Sequence, residues 1–205
     1  MFYRFCMSNI RTIFLTIVIC AIALAGGTAS ALYALNNFEG FNHLTIGQWQ
    51  ASPLYGSADA DPYARAQRSR AALLPLGAAE GQRFVLRYDT DGAKLDPRCD
   101  YSLQGQVPPS RFWTLHASDL TDHPLLSKQG LPQALHSQMI WYRDDSSLLI
   151  SVSSDAQSGN WLAINATRPY QLIMTLYDTA LGSSVGFENP QMPELKRIAC
   201  KGAVR

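Results

Sequence analysis

The chain has 205 residues, with 17 basic and 16 acidic side chains, a formal charge of +1, 47% hydrophobic residues and 16% charged ones. Both basic residues before position 39 are arginines (Arg4 and Arg11), so the rest of the chain carries 15 basic against 16 acidic groups. This balance, without a basic block, excludes nucleic acid as a partner. The 10% aromatic content excludes wholesale disorder, and four cysteines are too few for a disulfide scaffold.

The first predicted element is an address. No charge lies between Arg11 and Glu39, and 13–25 is almost unbroken Ile, Leu, Val, Ala, Phe and Thr. With its apolar tail to Leu35, the stretch exceeds the ~20 residues that cross a bilayer as a helix. Two readings compete. A retained anchor would comprise a cytoplasmic N-terminus (1–11) and a transmembrane helix (12–35), oriented by Arg4 and Arg11 with the remainder exported. A cleaved signal peptide would use the same arginines and be cut after Ala29-Ser30-Ala31. The continued apolarity through Leu35 favours the anchor. Both readings put residues 37–205 outside the cytoplasm, and the anchor reading makes the chain a single-pass inner-membrane protein with that domain in the periplasm. Only Cys99 and Cys200 then belong to the exported part, and an oxidising compartment lets such a pair bridge.

Residues 36–60, rich in Gly, Asn, Ser and Pro but carrying Phe38, Phe41, Trp49 and Tyr55, read as an ordered connector. At 61–74 Asp61 caps a predicted helix and Pro62 takes its first position. Its Arg65, Arg68 and Arg70 read either as a solvated face or as an anion-binding one.

From residue 83 the hydrophobic period becomes two. Strands are predicted at 84–88, 101–106, 111–116, 137–142, 147–153, 159–162 and 170–177, with an edge strand in 190–205. Asp91-Gly92 and Asp144-Asp145 are turns, and 119–133 is a loop. Many short strands beside a single short helix predict an all-β domain at 61–205, a jelly-roll-like β-sandwich preceded by the transmembrane helix.

Several motifs invite chemistry. Gly182-Ser183-Ser184-Val185-Gly186 has the pattern of a hydrolase nucleophile elbow, but every histidine precedes Ser184 and no helical run follows it. His116, Asp119, Asp122 and His123 have metal-ligating side chains without metal-ligand spacing. Asp144-Asp145 would be half of an acid–base pair, and a turn explains both more simply. No catalytic residue, metal or cofactor is expected. The most suggestive set is aromatic: Phe112-Trp113, Trp141-Tyr142, Trp161 and Tyr177. Such rings either fill a core or line a ligand site. Trp113, Trp161 and Tyr177, with Asn160 beside Trp161 and Arg111 and Arg143 as polar companions, are the candidate ligand contacts.

An ordered series of short motifs runs along the chain: Asp61-Pro62-Tyr63, Leu76-Gly77-Ala78-Ala79-Glu80-Gly81, Asp89-x-Asp91-Gly92-x-x-Leu95-Asp96, Cys99-x-Tyr101, Pro108-Pro109-x-Arg111-Phe112-Trp113-Thr114-Leu115 and Gly159-Asn160-Trp161-Leu162. Over about residues 49–200 it resembles the bacterial family known as domain of unknown function 1214, in its short, membrane-anchored form. The resemblance implies an exported, jelly-roll-like, all-β domain and no established activity; longer relatives join it to a second domain. Two features depart from the family: 130–137 reads Gly-Leu-Pro-Gln-Ala-Leu-His-Ser instead of an Arg-Tyr-Ser-like strand opening, and Ala163 replaces a common Pro. The functional expectation is a non-catalytic module for an envelope glycan, lipid or protein. A structural or assembly protein and an enzyme of unrecognised type are the alternatives.

Overall fold

A computed structural model describes residues 2–37, 44–71, 74–77, 79–127, 130–179, 181 and 190–202. The chain divides into two compact units, Met1–Phe41 with Asp61–Leu73, and Asn42–Ala60 with Leu74–Arg205.

The first unit is helical. Helix α1 (Phe2–Asn37) contains a segment, Arg11–Leu35, long and apolar enough to cross a membrane. None of its most apolar window is buried within the protein. Its polar side chains turn back on the helix: the hydroxyls of Thr16 and Ser30 donate to the carbonyls of Thr12 and Gly27, each at 2.9 Å. Such bonds remove donors that an apolar surrounding would leave unpaired. Helix α2 (Pro62–Ala71) starts as its sequence dictates. Asp61 Oδ1 accepts from the backbone N–H of Tyr63 at 2.9 Å and of Ala64 at 3.1 Å, a cap worth about 1 kcal/mol.

The second unit is two sheets. In chain order its strands are β1 (Leu44–Ile46), β2 (Trp49–Ala51), β3 (Gly81–Leu86), β4 (Cys99–Gly105), β5 (Phe112–Ser118), β6 (Ala134–His136), β7 (Leu148–Ser153), β8 (Asn160–Ala163), β9 (Gln171–Tyr177) and β10 (Glu194–Cys200). One sheet runs β1-β2-β3-β9-β5-β6 and the other β10-β4-β7-β8. Alternation sends Tyr101 and Leu103 of β4, Trp113 and Leu115 of β5, Ile150 and Val152 of β7 and Met174 of β9 into one apolar cluster fed by both sheets. Strand β9, between β3 and β5, is buried on both faces except at Tyr177. At Gly81 an added Cβ would lie 2.2 Å from the Leu176 carbonyl oxygen, so only glycine lets β3 approach β9 there.

Two elements differ from the sequence expectation, and a third has a pairing on which the sequence is silent. The strand expected at 137–142 lies earlier, at β6, where Leu135 faces Leu115 in register. Residues 137–140 instead form a turn, with Met139 N–H donating to the His136 carbonyl at 3.1 Å. Met139 and Trp141, the second of them in the aromatic set that fills a core or lines a site, are exposed. Second, the stretch read as a connector contains β1 and β2, which extend β3 outward. Third, β8 pairs with β7 in parallel. A parallel pair usually needs a crossover of about a dozen residues or more; here 154–159 suffices because β8 starts opposite Ile150, three residues back along β7.

Candidate functional site

Much of the motif series serves the fold. The Asp89-x-Asp91-Gly92 turn is built around a carboxylate with no exposed side-chain surface. Asp89 Oδ1 accepts from the N–H of Asp91 at 3.0 Å and of Ala93 at 2.9 Å. Asp89 Oδ2 accepts from Arg197 Nε at 2.8 Å and from Nη2 of the same guanidinium. The hydrogen bonds that Arg197 donates to Asp89 hold its guanidinium above its ordinary pKa. Thus the turn after β3 fastens β10. A disulfide between Cys99 and Cys200, 101 residues apart in sequence, fastens the C-terminal end of the same strand. Beside it, Asp96 is held down to about 2 by hydrogen bonds from the Arg98 side chain and backbone.

The expected ligand contacts separate once placed on the strands. Trp113 and Phe112 are neighbours on β5, so they point to opposite faces. Trp113 is 3% exposed and belongs to the core. Phe112 faces the other way and pairs in register with Tyr177, their rings 5.9 Å apart, with the His136 ring 5.4 Å from Phe112. Arg111 is exposed at that strand end, 4.0 Å from the Asp178 carboxylate. Trp161 is half-buried, outside the core cluster, with its indole N–H donating to the Ser153 carbonyl at 3.1 Å. Arg143 is exposed and caps a tight turn: its N–H donates to the Ser147 carbonyl at 2.9 Å.

Trp113 and Asn160 meet at a corner that contains Trp141 and Tyr142. Trp113 Nε1–H donates to the Tyr142 hydroxyl at 3.1 Å, and that hydroxyl donates to the Ser137 carbonyl at 3.2 Å. The Asn160 amide grips the backbone of Trp141 from both sides: Oδ1 accepts from Trp141 N–H at 2.8 Å and Nδ2 donates to the Trp141 carbonyl at 2.7 Å. Asn160 Nδ2 also donates to the Leu149 carbonyl at 3.0 Å. Both amide protons and one lone pair of Asn160 are therefore spent on backbone. The result is a fixed backbone carrying an indole that is 80% exposed, with Met139, Tyr142 and Leu149 also exposed around it.

The metal-like quartet also separates. Asp119 Oδ1 accepts from the N–H of Thr121 and of His123, which is a self-contained loop. Asp122 instead turns inward and accepts from the Arg83 guanidinium and from Gln171 Nε2 at 2.8 Å. Gln171, fully buried, also accepts from Arg87 Nε at 3.0 Å and donates to the Ser118 hydroxyl at 3.1 Å. Burial, aided by the Arg83 charge, lowers the His116 pKa. No cluster of three metal-ligating side chains exists among the described residues. Sequence reading missed this network because its members come from β3, β9 and a loop, far apart in the chain. Ser184 and the glycines around it lie outside the described residues.

The two-sheet unit and its motifs define a bacterial domain type recognised by sequence. The family model described as "Protein of unknown function (DUF1214)" matches residues 80–181, and the chain belongs to that family. The match spans β3 to β9 and so includes the Asp89 turn and the Trp141 corner. A crystal structure of a protein from Vibrio parahaemolyticus superposes with a TM-score of 0.55 at 22% identity, over 69% of this chain and 36% of that one. This chain thus spans little more than a third of that relative. A crystal structure of a putative uncharacterized protein from Burkholderia cenocepacia gives a TM-score of 0.41 at 16% identity, over 90% of this chain and 53% of that one. No curated protein matches.

Proposed function

We propose that this is a single-pass inner-membrane protein with a cytoplasmic N-terminus, a connector and a periplasmic β-sandwich of jelly-roll type. Its exported domain is a non-catalytic module that binds an envelope glycan, lipid or protein at the Trp141 corner. The apolar core shared by the two sheets supports the sandwich. Arg4 and Arg11 before an uncharged α1, and a helix that runs unbroken through Ala29-Ser30-Ala31, support a retained anchor. The observation that carries the binding reading is the exposed indole of Trp141 on a backbone held by Asn160. Pre-ordering of a contact residue lowers the entropy lost on binding. In this reading Trp141 and Tyr142 touch the ligand, Asn160 and Trp113 position them, and Trp161 and Arg143 flank the site. Arg111 and Tyr177, at the end of the opposite sheet face, are a secondary surface.

The test is a screen of envelope glycans, lipids and peptides against the detergent-solubilised full chain, followed by Trp141→Ala. The variant should keep its melting temperature within the small range of a surface substitution and lose ligand binding. Undiminished binding by a folded Trp141→Ala protein would remove the site.

A further inference from the structure

The arginine face of α2 plays no part in the Trp141 corner, yet its position is specific. Helix α2 packs in the same unit as α1, and Gln67 Nε2, in its middle, donates to the Leu35 carbonyl at 3.2 Å. Leu35 is the last residue of the apolar segment Arg11–Leu35. Its carbonyl lies in the last turn of α1, where backbone acceptors have no partner within the helix. A side chain of α2 thus caps the end of the would-be span and ties α2 to the level at which α1 leaves the bilayer.

The composition of α2 suits that level. Pro62–Ala71 contains Arg65, Arg68 and Arg70 and no acidic residue. Arg65 and Arg70 are exposed, and Arg68 is half-buried. Arg68 and Arg70 also interact within the chain, but a guanidinium has five donors and is not exhausted by one partner. Tyr63 on α2 and Tyr33 near the end of α1 are both exposed, and tyrosine concentrates where apolar and aqueous phases meet. Charge and aromatic content match a surface of phosphates over acyl chains.

We propose that α2 is an interfacial helix whose Arg65, Arg68 and Arg70 bind the phosphates of anionic lipid headgroups around α1. This rests on the reading of α1 as a retained anchor. Each arginine near an anionic surface contributes about fivefold to binding at moderate salt.

Full-length protein is reconstituted into phosphatidylcholine vesicles and into vesicles of equal parts phosphatidylcholine and phosphatidylglycerol. Carbonate extraction from the neutral vesicles tests the anchor, and hydrogen–deuterium exchange of 62–71 tests α2. Exchange is expected to slow tenfold or more in the anionic vesicles. The slowing should vanish in high salt and in Arg65→Gln/Arg68→Gln/Arg70→Gln, a variant whose folding is checked by its melting temperature in detergent, and in the single variant Arg65→Gln it should be reduced. Equal exchange in both vesicles, or slowing that survives in the triple variant, overturns the proposal while leaving the anchor intact. Release by carbonate overturns both.

Discussion

Asp89 and Asn160 do the same mechanical work in two different places. Each uses one short side chain to bind the backbone of a loop, Asp89 through the N–H groups of Asp91 and Ala93, Asn160 through the N–H and carbonyl of Trp141. The difference lies in charge. A buried carboxylate needs a counter-charge, and Asp89 obtains it from Arg197 on a distant strand, so its loop is drawn into the fold. A neutral amide needs none, so Asn160 fixes its loop at the surface and leaves the indole of Trp141 in solvent. The first clamp closes the domain; the second displays a side chain.

The contrast can be broken at several points. The largest effect is expected at the support beneath the displayed corner: Trp113→Ala empties a core position and removes the donor to Tyr142, and should cost about 4 kcal/mol in urea denaturation. Next comes Arg197→Met, which leaves Asp89 buried and unpaired. A loss of about 3 kcal/mol is expected, and Asp89→Asn in the same chain should recover part of it. A loss under about 1 kcal/mol, the scale of an average substitution, would mean that Asp89 is not held by Arg197. Asn160→Ala should cost only about 1–2 kcal/mol, but it should weaken ligand binding as much as Trp141→Ala does, because the loop is no longer fixed. The smallest effect concerns pH. Asp96, lowered from 3.8 to about 2, ionises more readily folded than unfolded. Its contribution is present above the unfolded value and fades as pH falls through the folded one. Denaturation midpoints should therefore fall between pH ~4 and ~2, and Arg98→Gln should flatten that slope.

The sequence made the long strands legible because β4, β5 and β7 alternate cleanly and each has one buried face. It made the start of α2 legible because capping by Asp61 and Pro62 is local chemistry. Strands β1 and β2, at three residues each, are too short for periodicity to register, and they exist because β3 offers an edge to extend. The shift at β6 has another cause: the exposed apolar side chains of Met139 and Trp141 imitate an inward face. The motif Gly159-Asn160-Trp161 drew attention to Trp161, whereas the structure puts the exposed indole twenty residues earlier, at Trp141, and gives Asn160 the task of holding it. No local pattern encodes that contact, nor the Arg83–Asp122–Gln171 network, because both are made by tertiary pairing.

Strand β10 has a consequence for the order of folding. Its partner β4 lies almost a hundred residues earlier, a separation approached by the β3–β9 pair, whereas the β4–β7 and β5–β9 pairs enclose shorter loops. Contacts of large sequence separation form late because loop closure must precede their reward. Until β10 arrives, one edge of β4 is open and the Asp89 carboxylate has no cation, so that turn stays hydrated. The last strand then delivers Leu195 to the core, Arg197 to Asp89 and Cys200 to Cys99 in a single docking step. The domain is therefore built as a latch: the neutralisation of its buried charge depends on a strand that pairs across almost the whole domain.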